Sequence, residues 1–78
     1  MTNKEKYQEV FKETFGINVN ELENLQYQSI PSWDSVGHMN LIASLEDTFD
    51  IMLETDDIVD FNSYKKGIEI LKKNGVEF

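Results

Sequence analysis

The chain has 78 residues, 15 acidic against 7 basic, and a formal net charge of −8. All seven cationic side chains are lysines, and this balance argues against nucleic acid and anionic membrane surfaces, whose binding rests on cationic contacts to phosphate. Cysteine is absent, which excludes a disulfide framework and any cysteine-based zinc site. One small domain of this size must rest on helix packing and on its apolar residues.

The N-terminal stretch MTNKEKYQEV has no apolar run of the signal-peptide type. No later stretch approaches the roughly 20 apolar residues needed to span a bilayer. A cytoplasmic monomer is the expectation. The first helix is predicted to start at Thr2, because Thr2-Asn3-Lys4-Glu5 has the capping-box spacing. Tyr7, Val10, Phe11 and Phe15 follow at helical spacing as its buried stripe, and Gly16 suits a left-handed cap that ends it. From Ile17 to Asp34 runs a long connection, INVNELENLQYQSIPSWD, through which Pro31 excludes a continuous helix. Leu22, Leu25, Tyr27 and Ile30 are expected to pin it to the core. Connections this long in small domains tend to be functional or disordered, and the apolar content argues against disorder.

The second helix is predicted from Ser35 to Phe49 or Asp50. A short helix is expected over Thr55 to Asp60, with Asp56 and Asp57 favouring its N-terminus. The last is predicted over Ser63 to Lys73, with Tyr64, Ile68 and Leu71 buried and Asn74-Gly75 stopping it. No segment alternates convincingly as a strand. The fold class that follows is all-α: a small four-helix bundle of three main helices and one short one, with a long first loop.

The second helix carries most of the functional information. At roughly 100° per residue, Leu41, Ile42, Leu45 and Phe49 fall in one arc headed by His38, the natural core face. Nearly opposite lie Val36, Met39 and Ala43, on the side that also carries Glu46, Asp47 and Asp50. In so small a domain one helix is rarely enclosed on all sides, so the second apolar strip with its acidic border reads as a partner-binding face. Methionine adapts to varied surfaces. No lysine lies between Glu13 and Tyr64, so this acidic region is either a solvated face that serves solubility or a docking surface for basic partners. Gly37 either lets another chain or a ligand approach closely or is simply tolerated near a helix end. His38 is the only histidine. With no second His and no Cys it does not define a metal site, and a partly buried, hydrogen-bonded ring is expected. The acidic stretch DTFDIMLETDD lacks the spacing and central glycine of a calcium loop. No catalytic constellation is visible.

Asp34-Ser35-Val36 at the start of this helix, after a long loop, resembles the D-S-[L/V] attachment motif of acyl carrier proteins and peptidyl carrier domains. Downstream, Leu45, Glu46, Phe49, Ile51 and Leu53 in LEDTFDIML are similar to the end of that family's second helix and the loop after it. Phe15-Gly16 matches the end of its first helix. The resemblance implies that Ser35 carries 4'-phosphopantetheine, installed from coenzyme A by a phosphopantetheinyl transferase. It implies that Asp34 helps position that enzyme or its metal-bound coenzyme A. Val36, Met39 and Ala43 become the recognition face, with Glu46, Asp47 and Asp50 meeting basic residues on acyl- or aminoacyl-loading and transfer enzymes. Gly37 stands where bacterial fatty-acid carriers usually have an acidic residue. Trp33 stands where they have small ones, and proline is missing near Glu54. IPSWDSVGHMNLI thus looks closer to stand-alone carriers of specialised pathways, such as polyketide, surface-polysaccharide or hydroxyacyl-transfer clusters. Trp33 either shields the root of the arm, contacts a partner, or anchors the loop to the bundle. The competing reading of the whole chain is an unmodified acidic helical adaptor for basic partners.

Overall fold

The computed structural model describes all 78 residues. Four helices follow one another: α1 (Asn3–Phe15), α2 (Ser35–Phe49), α3 (Thr55–Asp60) and α4 (Tyr64–Lys73). The only other regular element is a 3-10 turn at Val19–Glu21 in the first loop. The expected all-α bundle is what the chain forms, and its helix boundaries follow local chemistry.

Thr2 caps α1 in a reciprocal capping box. Its hydroxyl accepts from the Glu5 N–H at 3.1 Å, and the Glu5 carboxylate accepts from the Thr2 N–H at 3.0 Å. The Thr2 N–H first, and the Thr2 hydroxyl at 3.1 Å second, donate to the Glu5 carboxylate and hold it below its ordinary range. Gly16 ends the helix in the left-handed conformation, φ 65°, where a glycine carries no Cβ penalty. Ser63 caps α4 by accepting from the Lys66 N–H at 2.9 Å.

The core is one cluster to which every helix except α3 contributes buried apolar side chains, α3 adding the half-buried Ile58. Tyr7, Val10, Phe11 and Phe15 of α1 are buried as expected. Phe11 is the hub: its ring lies 4.9 Å from Tyr7, 5.2 Å from Tyr64 and 5.6 Å from Trp33, all at steep angles that favour edge-to-face contact. α4 approaches closely because residue 67 is glycine. A Cβ there would stand 2.1 Å from the Tyr7 hydroxyl and 2.2 Å from the tip of Phe61. Two details of the expected core shift. Ile70, unassigned by the spacing argument, is buried, while Ile68 and Phe49 are only half-buried. α4 therefore centres its inward face on Gly67, Ile70 and Leu71.

The long loop is ordered by backbone pairing rather than by its own helix. The Tyr27 N–H donates to the Asn62 carbonyl at 2.9 Å, and the Tyr64 N–H donates to the Leu25 carbonyl at 3.0 Å. The loop is thus laced to the α3–α4 connection, an isolated antiparallel bridge joining Gln26 and Ser63. Leu22 and Leu25 are buried beneath it, and Tyr27 and Ile30 pack half-buried against the core. The Gln28 N–H then donates to the Trp33 carbonyl at 3.0 Å, closing a small ring of chain that delivers residue 34 to the head of α2.

Asp57 has a different task from the one its position suggested. It is the only buried charged residue. Its carboxylate pairs with the Lys73 ammonium and accepts from the Asn74 amide at 3.2 Å, tying α3 to the end of α4. The Lys73 hydrogen bond first, and the Asn74 bond second, hold the Asp57 carboxyl below its ordinary range against the opposing effect of burial. Lys73 is correspondingly raised, chiefly by its hydrogen bond to Asp57.

A group whose folded pKa lies below its unfolded value stabilises the fold above that unfolded value. It loses that contribution as pH falls through the folded value. Asp57→Asn is therefore expected to lower the melting temperature at pH 7 and to have progressively less effect as pH falls below about 4, the range of an unperturbed aspartate. Thermal unfolding of both proteins at pH 7 and pH 3 checks this. A difference that persists undiminished at pH 3 would show that the ion pair is not its source.

Candidate functional site around Ser35

The head of α2 is built by Asp34. Its extended backbone and its carboxylate, which accepts from the Gly37 N–H at 2.8 Å, make it the N-cap. Ser35 is the first helical residue. Its hydroxyl has therefore no capping duty, and its one hydrogen bond within the chain is with the Tyr27 phenol at 3.3 Å. Ser35 is exposed. The backbone N–H groups of Ser35 and Val36 have no acceptor within the chain. An exposed hydroxyl thus sits beside two unpaired N–H donors at the positive end of a 15-residue helix, the arrangement that favours an anion such as a phosphodiester. The site fits the group the sequence implies.

Trp33, one residue before the cap, is fully buried. Its indole stacks on Phe15 at 5.2 Å and 24°, and lies nearly parallel to the His38 ring at 6.2 Å. Burial excludes a contact between the indole and a partner protein. Trp33 anchors the loop.

His38 completes this anchor. The Trp33 indole N–H donates to His38 Nδ1 at 3.0 Å, and His38 Nε2 bonds the Ile58 carbonyl at 2.8 Å. An indole nitrogen can only donate and a carbonyl can only accept. Nδ1 is therefore bare and Nε2 carries the proton. The expected partly buried, hydrogen-bonded histidine is present, and its two bonds join the loop, α2 and α3 within one turn of Ser35. Both ring nitrogens are committed, so His38 offers none to the Ser35 hydroxyl.

Gly37 fits neither reading that the sequence left open. A Cβ at this position would stand 1.9 Å from the Ser32 carbonyl oxygen and 3.3 Å from the Phe15 ring. The chain that approaches closely is the protein's own loop. Glycine here lets residues 32 and 37 pack together and turns the chain sharply into α2.

The second face of α2 is open. Val36 is 70% and Met39 53% exposed, and Ala43, Asp47 and Asp50 are exposed as well. Glu46 differs from its acidic neighbours. It is half-buried, and its carboxylate accepts from the Leu53 N–H at 2.8 Å, so it orders the α2–α3 loop and presents only part of its charge outward. Asp50 closes α2 in the left-handed conformation at φ 53°. Met52 and Val59, 87% and 72% exposed, add apolar surface on the loop and on α3; the spacing argument, confined to α2, passed over both.

The widest groove, about 530 Å³, runs between α1 and α2 past Glu13, Thr14, Asn40, Ser44 and Asp47. It is mostly polar, and Ser35 is not among its walls. A smaller cleft of about 250 Å³ is lined by Tyr27, His38, Ile58, Val59, Phe61 and Asn62. Its Tyr27 wall is the residue that touches Ser35. No helix is long and apolar enough to cross a membrane.

No protein-family model, curated protein or solved structure matches the chain.

His38→Phe keeps an aromatic ring but removes both acceptor and donor. Leaving the buried indole N–H unpaired is expected to lower unfolding free energy by about 1–3 kcal/mol, read by urea denaturation. An unchanged midpoint would mean that the Trp33–His38 bond does not hold the loop.

Proposed function

We propose that the protein is a carrier that bears 4'-phosphopantetheine on Ser35 and presents an acyl, aminoacyl or hydroxyacyl group to partner enzymes. The observation that supports this best is the division of labour at the head of α2. Asp34 caps the helix, and the exposed Ser35 hydroxyl is left with no structural bond but the long one to Tyr27.

Loading requires coenzyme A and a phosphopantetheinyl transferase. The Ser35 oxygen attacks the phosphorus nearest the pantetheine, the pyrophosphate P–O bond breaks, and adenosine bisphosphate leaves. The serine proton passes to a base of the transferase. The attached arm supplies a thiol that holds its cargo as a thioester. The chain's own part is to hold the serine at a rigid helix end, to give the phosphodiester two free N–H donors, and to tether the cargo at high effective concentration near each enzyme. Asp34, with one carboxylate oxygen spent on the cap, has the other free toward the transferase or a metal ion it brings.

The partner face consists of Val36, Met39 and Ala43 bordered by Asp47 and Asp50, with Glu46 contributing weakly because its charge is partly used within the chain. Basic enzyme surfaces complement it. The pathway belongs among specialised acyl-transfer systems. The three departures from bulk fatty-acid carriers that suggested this are the residues at 33 and 37 and the missing proline near Glu54. The first two serve the loop anchor.

Incubating the apo-protein with coenzyme A and a broad-specificity phosphopantetheinyl transferase is expected to add one phosphopantetheine by intact mass, and Ser35→Ala to abolish the addition. No adduct would leave the unmodified adaptor as the better reading, and an adduct that survives the substitution would overturn Ser35 as the attachment site. Met39→Glu is expected to weaken loading or transfer by a partner enzyme while circular dichroism stays unchanged, because the side chain is already half in water. Loss of helicity would place Met39 in the core instead.

A further inference from the structure

One hydrogen bond at the head of α2 has no structural task. The Tyr27 phenol meets the Ser35 hydroxyl at 3.3 Å, and neither oxygen makes another hydrogen bond within the chain. Tyr27 does not need this bond to stay in place. Its backbone N–H donates to the Asn62 carbonyl at 2.9 Å. Its half-buried ring stands edge-on to Trp33, 6.3 Å away at 88°, and to His38, 5.6 Å away at 72°. Those two rings are themselves joined by the indole N–H bond to Nδ1. A phenylalanine would satisfy each of these contacts, so the phenolic oxygen is held at the serine by a frame that does not depend on it. Ser35 does not need the bond either, because Asp34 caps the helix.

We infer that Tyr27 positions the Ser35 hydroxyl for loading by donating a hydrogen bond to its oxygen. The inference rests on the carrier reading above and concerns the step in which the arm is attached. A serine hydroxyl has one proton and two lone pairs. With Tyr27 donating, one lone pair is fixed, and the other lone pair and the proton are left free on the exposed side. In the transfer the free lone pair forms the bond to phosphorus, and the proton passes to the base of the transferase. The pyrophosphate P–O bond breaks and adenosine bisphosphate leaves. Tyr27 keeps its own proton throughout. In the free protein either oxygen can donate, but a donating serine would turn its proton away from the base that must take it. As the serine oxygen gives up that proton it gains negative charge, and a hydrogen bond to a charged group is shorter and stronger than a neutral one. The 3.3 Å separation leaves room for such tightening, which is common at reacting groups once substrate is bound. No neighbouring side chain competes for the role. Both His38 nitrogens are committed to Trp33 and Ile58, and the Asp34 carboxylate can only accept.

The test is single-turnover loading at pH 7, with coenzyme A and a broad-specificity phosphopantetheinyl transferase in excess over the carrier, followed by intact mass. Tyr27→Phe is expected to accept one phosphopantetheine at a maximal rate about tenfold lower, the effect of losing one hydrogen bond to a charged group. The transferase concentration that gives half the maximal rate, and the melting temperature of the carrier, should not change. A tyrosine fluorinated beside its hydroxyl, installed at position 27 alone, is a stronger donor and a weaker acceptor. It is expected to load at least as fast as the parent protein, and it is the deciding variant if Tyr27→Phe unfolds. An unchanged maximal rate in Tyr27→Phe would overturn the role of Tyr27 and leave the carrier reading standing. A change confined to the half-saturating concentration would overturn it too, by making Tyr27 a contact for the transferase. So would slower loading of the fluorinated protein, which would make the phenol an acceptor. If the parent protein takes up no phosphopantetheine, the carrier reading itself fails and the role of Tyr27 falls with it.

Discussion

The placement of Ser35 depends on the burial of Trp33. A connection of nearly twenty residues is entropically costly to order, and its backbone groups must find partners. The indole gives it an anchor deep enough to be decisive, stacked on Phe15 and edge-on to Phe11. The hydrogen bond to His38 then makes that anchor directional, because it ties the last loop residue before the cap to the first full turn of α2. Gly37 is the steric counterpart: with a Cβ at this position, the Ser32 carbonyl could not lie where the turn requires. Trp33, Gly37 and His38 form one device for bringing the chain into α2 at a fixed angle.

That device separates two tasks that adjacent polar residues often share. Asp34 satisfies the helix end, which frees the Ser35 hydroxyl. The same rigid start orients α2 so that Leu41, Ile42 and Leu45 face inward while Val36 and Met39 stay in water. Glu46 illustrates the limit of reading a face by charge alone. An acid on the outer side can be spent on a backbone N–H of the next loop, as this one is on Leu53.

A similar economy governs the far end of the molecule. α3 has only six residues, too few to hold its shape by its own hydrogen bonds. It is held from both sides, by His38 on the Ile58 carbonyl and by Asp57 on Lys73 and Asn74. Both restraints are polar and both reach outside α3, so it is fixed in place although four of its six residues are exposed.

Much of this was legible in the linear chain. Helix boundaries rest on contacts within a few residues, such as Thr2 with Glu5 or the left-handed Gly16, so local spacing determined them and the all-α class with them. The two faces of α2 follow equally from periodicity. What tertiary structure alone decided are the contacts between distant positions. It turned Gly37 and Trp33 toward the protein's own loop, moved Asp57 from a helix-end charge to a buried ion-pair partner, placed Ile70 inside, and set Tyr27 against Ser35. Each depends on which elements pack together, and a residue's own neighbours in sequence exert no force that encodes it.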